Sequence, residues 1–227
     1  DSGKRWSFAG HDYQCQLVTD IHPWIAIQKC AQSGVSELSV SMVLGLAAVL
    51  PNSNIIYSLQ TAAFAKKFAV SRIGAAINKS RKLRALLNKE VDSTELKQIG
   101  SSYLHITGAQ AENQAISVPA MALINDELSF STPSVISALM SRLEHLPEDK
   151  KTLYQFSTPL YSNMGISDVF DKGTQHYYMC YHDRCGKWAV VNPLTDIIVP
   201  GFDKELKELE RGHLADNKVN VDDSYVK

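Results

Sequence analysis

Short apolar runs and longer stretches of helical spacing alternate along most of this chain. Residues 25–29 (Ile-Ala-Ile-Gln-Lys) form the first run, short and bounded by turn residues, which predicts a buried strand. The polar turn Gln32-Ser33-Gly34 follows. Over residues 36–50 the spacing becomes helical, with Leu38, Met42, Leu46 and Val49 expected on one face and the Ser36 hydroxyl near the helix start. Pro51-Asn52-Ser53-Asn54 breaks that helix, and residues 55–57 read as a second strand. Residues 61–78 predict a helix with Phe64, Phe68, Ile73 and Ile77 apolar, followed by a shorter one over 83–87. Strands are predicted at 103–106, 121–124 and 152–156, with a helix opened by Pro133 between the last two and running to about residue 146. The run at 121–124 is apolar on both faces, as a central strand must be.

Strands separated by helices of this length need crossover connections, and these predict an α/β fold with a mostly parallel central sheet and helices on both faces. After about Gly173 the texture changes. Residues 176–191 resemble a hairpin turning through His182-Asp183-Arg184-Cys185-Gly186, and from Asp203 the chain becomes charged and helix-like, then polar and loose. The expected division is a core over 1–173 and a small hairpin and linker extension over 174–227.

Composition narrows this picture modestly. The chain has 227 residues, 44% hydrophobic and 21% charged, with a net charge of -1. These are the values of an ordinary globular protein, and any contact with nucleic acid would need a local basic patch. Four cysteines are too sparse for a secreted disulfide scaffold and favour a reducing compartment. No apolar run approaches the roughly 20 residues that span a bilayer, so no membrane role is expected. The first residues carry no signal-peptide pattern and the last stop in polar sequence, which suggests a piece of a longer protein.

Candidate chemistry clusters at three predicted strand ends. Strand, glycine turn, hydroxyl and helix occur in that order over 25–36, an arrangement whose backbone N–H groups can cradle a phosphate. Against the pattern G-x-x-x-x-G-K-[ST], the stretch Lys29-Cys-Ala-Gln32-Ser33-Gly34-Val35-Ser36 keeps the second glycine and the hydroxyl. Valine stands where the lysine is usual, and a lysine stands where the first glycine is usual. A second strand ends in Asn125-Asp126-Glu127, two carboxylates suited to holding a metal and polarising water. A third ends in Ser157-Thr158-Pro159. Each alone is commonly a structural turn. In an open α/β sheet, however, such strand ends share the edge where ligands bind.

These blocks, with Trp6-Ser-Phe8-Ala-Gly10, Phe68-Ala-Val-Ser-Arg72-Ile, Leu83-Arg84 and Leu104-His-Ile-Thr-Gly108-Ala, resemble the lambda-type branch of large terminase subunits of tailed bacteriophages, over roughly residues 6–190. The resemblance implies a P-loop NTPase core of the ASCE type that binds ATP and Mg²⁺. It places Lys29 on the phosphates, with Gln32, Ser33, Gly34, Val35 and Ser36 completing the ATP-binding loop. It makes Ser36 and Asp126 the Mg²⁺ residues, Glu127 the catalytic carboxylate, and Ser157 and Thr158 the elements that couple hydrolysis to DNA movement. Arg142 becomes a candidate arginine finger for a neighbouring subunit, although a plain surface arginine reads equally well. Phe8, Tyr13 and Gln14 become candidates for the adenine, with core or interface packing as the simpler role for Trp6, Phe8 and Tyr13.

The implied partners are double-stranded DNA, a portal protein and a small terminase subunit, with a homo-oligomeric ring on the procapsid in the host cytoplasm and a monomer in isolation. A nuclease domain is expected to follow the segment, so no DNA cleavage is expected from the segment itself. Two departures stand out: Val35 in the usual lysine position, and Glu37 placing a negative charge beside the loop.

Cys180 and Cys185 bracket the predicted hairpin tip, with His176 and His182 nearby. They are candidate zinc ligands or two ordinary thiols, since a tetrahedral site wants four protein ligands. Lys66, Lys67, Arg72, Lys79, Arg81, Lys82 and Arg84 crowd one helical region, as a DNA-backbone track or as a solvated face. Two other functions fit the same pattern: a helicase-like or repair ATPase, and a structural module whose phosphate loop has decayed.

Overall fold

The computed structural model describes residues 7–111, 117–182, 186–190, 197–198 and 225–226. The chain divides into two compact units, Asp1–Gln175 and His176–Lys227.

In the first unit, strands β1 (Trp24–Gln28), β2 (Asn54–Leu59), β3 (Leu87–Asp92), β4 (Leu96–Ile99), β5 (Ser102–Gly108), β6 (Ala122–Asp126) and β7 (Thr152–Ser157) form one sheet in the order β1-β7-β6-β2-β5-β4-β3. The first five in that order run parallel; β4 and β3 add an antiparallel edge. The mostly parallel α/β architecture expected from the sequence is therefore present. Alternation along the buried strands creates two apolar layers. Ile55, Tyr57, Ile124 and Phe156 face helices α2 (Val35–Val49), α3 (Ala62–Phe68) and α4 (Ala75–Lys79), while Ile56, Leu123 and Leu153 face α6 (Pro133–Met140) and α7 (Ile166–Asp171). Burying each such side chain contributes on the order of 1.5–3 kcal/mol, so the central strands are the rigid part on which the site is built.

Several details differ from the sequence expectations. Helix α2 buries Val40, Val43, Leu44 and Ala47, while Val49, expected inside, is 78% exposed. The segment is apolar nearly all round, so spacing alone does not select the inward face. The predicted helix over 61–78 is three pieces, with a π-helical stretch, Ala69–Gly74, between α3 and α4. The extra residue of a π turn brings Ile73 and Ile77 onto the buried face of Phe68, an alignment that unbroken α spacing would lose. The last predicted helix stops at Met140 and tightens into a 3-10 turn, Ser141–Leu143. Among the elements not expected are α1 (Tyr13–Thr19), the polar β3–β4 pair, and α7; α5 (Arg81–Leu86) occupies the place of the predicted short helix.

In the second unit, β8 (Cys180–His182) and β9 (Lys187–Ala189) pair antiparallel, and β10 (Ile197–Ile198) pairs with β11 (Tyr225–Val226). The helix-like charged stretch expected from Asp203 lies outside the described residues. Among the described residues, no helix is long and apolar enough to cross a membrane.

Candidate functional site

Because β1, β7 and β6 are parallel neighbours, their carboxyl ends meet at one edge of the sheet, and β7 stands between the other two. Gln28 pairs with Ser157, and the Lys29 N–H donates to the Ser157 carbonyl at 3.0 Å, extending the ladder by one residue. The chain then turns through 29–34 into α2.

Two residues of this turn adopt the left-handed conformation, Gln32 (φ 61°) and Gly34 (φ 76°). A Cβ at Gly34 would also lie 2.7 Å from Gln14 Nε2, so the Gln14 side chain would have to shift to admit one. Gln14 is buried and donates to the Ser33 carbonyl at 2.9 Å, and the Tyr13 hydroxyl donates to the same oxygen at 2.5 Å. Helix α1 therefore braces the loop from behind, and the Tyr13 and Gln14 side chains are engaged in that contact. Phe8 lies ahead of α1, and its carbonyl accepts from the His11 N–H.

Gly34 caps α2 without a side-chain bond, so the N–H groups of Val35, Ser36 and Glu37 open the helix with no intrahelical partner. Together with the helix dipole they favour an anion. Val35 is 4% exposed and packs into the core, so it can serve this loop only through its backbone. The Glu37 charge is met by Arg72, whose Nη1 lies 3.0 Å from Glu37 Oε2 and which the π-helical stretch presents.

The Lys29 ammonium lies 2.6 Å from Glu127 Oε1, with its side chain only 7% exposed. Glu127 follows β6 in the left-handed conformation (φ 60°, ψ 46°), a strained state for a non-glycine residue and one that turns its side chain out of the strand. The Ser157 hydroxyl lies 3.3 Å from Glu127 Oε2 and 3.0 Å from the Thr158 carbonyl, and it accepts from the Ser129 N–H at 3.2 Å. Lys29, Glu127 and Ser157, at the carboxyl ends of three different strands, thus converge.

Asp126, the last residue of β6, is 2% exposed. Burial raises its carboxyl to about 6, opposed by the nearby Ser36 hydroxyl, the Lys29 charge and the Tyr57 hydroxyl. Tyr57 donates to Asp126 Oδ2 at 3.1 Å, while Oδ1 has no hydrogen-bond partner of normal geometry. A free buried carboxylate oxygen beside a serine hydroxyl is a hard-oxygen donor pair of the kind Mg²⁺ prefers, so these residues fit that cation.

Tyr57 was not anticipated. The available signal was a tyrosine in an aliphatic central strand, whose hydroxyl must find a partner when buried.

Arg142 is not brought to this edge. Its carbonyl accepts from the Ala120 N–H at 2.9 Å, at the amino end of β6 and about 20 Å of strand length from Asp126. Cys180 is exposed on β8, Cys185 lies outside the described residues, and among the described residues no three potential ligands gather for a metal. In the basic region, Lys66 pairs with Glu95 at 2.9 Å and Arg84 bonds the Asn78 carbonyl.

The family described as phage terminase large subunit gpA, ATPase domain, matches residues 16–211. No curated protein matches. Among solved structures, the large terminase of bacteriophage HK97 superposes with a TM-score of 0.62 and 12% identity, over 74% of this chain and 36% of that one. The large terminase of a thermophilic bacteriophage gives 0.53 and 12%, over 70% and 42%. The same thermophilic-phage protein in complex with ADP gives 0.51 and 11%, over 64% and 38%. At these identities the likeness is one of fold, and the chain spans less than half the length of either protein.

Proposed function

The chain belongs to the gpA ATPase-domain family of phage terminase large subunits, and from that premise and the geometry above we propose that it is the ATP-hydrolysing motor segment of a viral DNA-packaging protein. The observation that carries the site assignment is the convergence of Lys29, Glu127 and Ser157 beside the Ser36–Asp126 pair.

In this reading the loop over 29–36 holds the phosphates. Backbone N–H groups of Gln32, Ser33, Gly34, Val35 and Ser36 cradle them, and the Lys29 ammonium neutralises them from the amino end of the loop. This position explains how Val35 can be a core residue: the cation it would have supplied comes from β1 instead. Ser36 and Asp126 Oδ1 would hold Mg²⁺. When bound there, Mg²⁺ would offset the negative charge that develops on the phosphates. Glu127, drawn off Lys29 as the phosphates arrive, accepts a hydrogen bond from the attacking water and orients it in line with the γ-phosphate. Ser157, bonded to Glu127, senses that change and with Thr158 passes it to the next loop.

Arg142 serves a neighbouring subunit's site, since it cannot reach its own. Residues 1–173 act as the catalytic core, and 174–227 lead toward a further domain. The implied assembly is a homo-oligomeric ring on a portal protein in the host cytoplasm, driving double-stranded DNA and recruited with a small terminase subunit. We assign no DNA cleavage to this segment. Cys180 and Cys185 remain zinc candidates only in combination with ligands from elsewhere.

Calorimetric titration with a Mg²⁺–ATP analogue tests the site directly. Saturable binding by the wild type, weakened at least tenfold by Lys29→Ala, is expected. Equal binding by both proteins would remove the lysine from the phosphate site, and no binding by the ring-assembled wild type would favour a decayed module.

A further inference from the structure

One buried polar chain near the site has no role in the scheme above. Tyr57 is fully buried in β2, packed in the layer beneath α2 and stacked on Phe68 with ring centroids 5.3 Å apart. Its hydroxyl lies 3.1 Å from Asp126 Oδ2 and 2.7 Å from Ser39 Oγ, and Ser39 Oγ lies 2.9 Å from the Ser36 carbonyl. A tyrosine hydroxyl here is an unneeded expense for the core unless it bonds, because phenylalanine would fill the same space without a polar group to satisfy. Its partners lie on the two elements that carry the proposed cation residues: Asp126 at the end of β6 and Ser39, one turn after Ser36, on α2.

Proton counting gives the chain a direction. Tyr57 has one proton and so has Ser39. An ionised Asp126 can only accept, so Tyr57 donates to Oδ2, and the single Ser39 proton goes either to the Tyr57 oxygen or to the Ser36 carbonyl. The carboxylate is thereby held by one oxygen, and Oδ1 is left without a hydrogen-bond partner of normal geometry. A free carboxylate rotor would sample orientations that offer no oxygen to a cation, and fixing it removes that loss from binding.

We propose that Tyr57, supported by Ser39, is a positioning residue for Asp126, fixing the carboxylate so that Oδ1 is presented to the divalent cation that accompanies the nucleotide. This inference rests on the nucleotide-site reading and adds a residue to it from a strand that bears no recognised motif.

Tyr57→Phe keeps the ring and its stack while deleting the hydroxyl. Wild type, Tyr57→Phe and Ser39→Ala are titrated with a non-hydrolysable ATP analogue, first in EDTA and then across a Mg²⁺ series, with melting temperature as the folding control. Loss of an outer partner of a ligand commonly weakens a metal about 10–100-fold. The Mg²⁺ concentration for half-maximal binding should therefore rise at least tenfold in Tyr57→Phe, while affinity in EDTA stays within about twofold. Ser39→Ala, one bond further away, should shift the midpoint in the same direction by about threefold, and it decides the question should Tyr57→Phe fail to fold. An unchanged Mg²⁺ midpoint in the folded variant, or equal losses with and without Mg²⁺, would reduce Tyr57 to a core residue. If the wild type shows no Mg²⁺-dependent binding, the nucleotide-site reading itself falls and the inference falls with it.

Discussion

At the scale of single residues, the site holds groups in states that folding alone would avoid. Asp126 is the clearest case: its carboxyl is raised from the ordinary value to about 6 because burial disfavours the charged form. The folded protein therefore binds a proton that the unfolded chain has released between about pH 4 and pH 6. Stability carried by this group is full below about pH 4, declines as pH rises toward 6, and stays reduced above it. Asp126→Asn removes the decline. In EDTA at pH 7.5 the variant should be more stable than wild type by on the order of 1–3 kcal/mol in urea unfolding, with the two proteins converging near pH 4. It should at the same time lose turnover. Equal stability at pH 7.5 would mean that the neighbouring hydroxyls and Lys29 fully offset the buried charge. Glu127, held at positive φ, belongs to the same class of locally unfavourable residues collected at the proposed site.

Elements explain how these residues meet and why sequence reading saw only some of them. The strands bearing Lys29, Asp126-Glu127 and Ser157 were legible because long apolar runs ending in polar residues are a local signal. The braces were not. Tyr13 and Gln14 hold the loop through the Ser33 carbonyl, yet α1 is short and carries no distinctive period. Arg72 answers Glu37 only because a π-helical stretch turns it there, and no propensity announces that extra residue. The polar β3–β4 pair extends the sheet edge without the apolar alternation that marks a strand.

Helix α7 shows a stricter dependence on one position. Gly165, just before it, has φ 56° and ψ -127°, and a Cβ there would lie 2.7 Å from Ser129 Oγ and 2.8 Å from Ser129 Cα. Ser129 Oγ accepts from the Ile166 N–H, and the Ser129 N–H donates to the Ser157 hydroxyl, so this seat lies two hydrogen bonds from Glu127. Gly165→Ala should cost about 2 kcal/mol or more and lower the melting temperature by roughly 5 °C or more. Adding Ser129→Gly should recover part of the loss, because it clears the Cβ and hydroxyl contacts but not the backbone strain. A single variant melting within 1 °C of wild type would show that the seat yields freely (about 0.3–0.5 kcal/mol at this size).

For the whole molecule, strand order decides what one subunit can do alone. Placing β7 between β1 and β6 gathers Lys29, Asp126, Glu127 and Ser157 at the carboxyl edge, whereas Arg142 sits about 20 Å away at the amino end of β6. A residue so placed cannot stabilise charge on its own subunit's phosphates, because such stabilisation needs direct contact. Its Nε is nonetheless buried and without a hydrogen-bond partner, an uncommon state for an arginine with only a structural duty. Two consequences separate a role in trans from none. In the isolated chain, Arg142→Ala should leave nucleotide affinity within about twofold of wild type, since nothing at the site is touched. In rings assembled from the full-length protein, Arg142→Ala and Glu127→Gln subunits should each be nearly inactive, the first lacking the arginine and the second the carboxylate. Mixed, they should regain turnover: an Arg142→Ala subunit keeps an intact carboxylate and borrows the arginine of a Glu127→Gln neighbour. ATPase activity that peaks at intermediate mixing ratios is the expected result, and mixtures no more active than either parent would confine Arg142 to the fold.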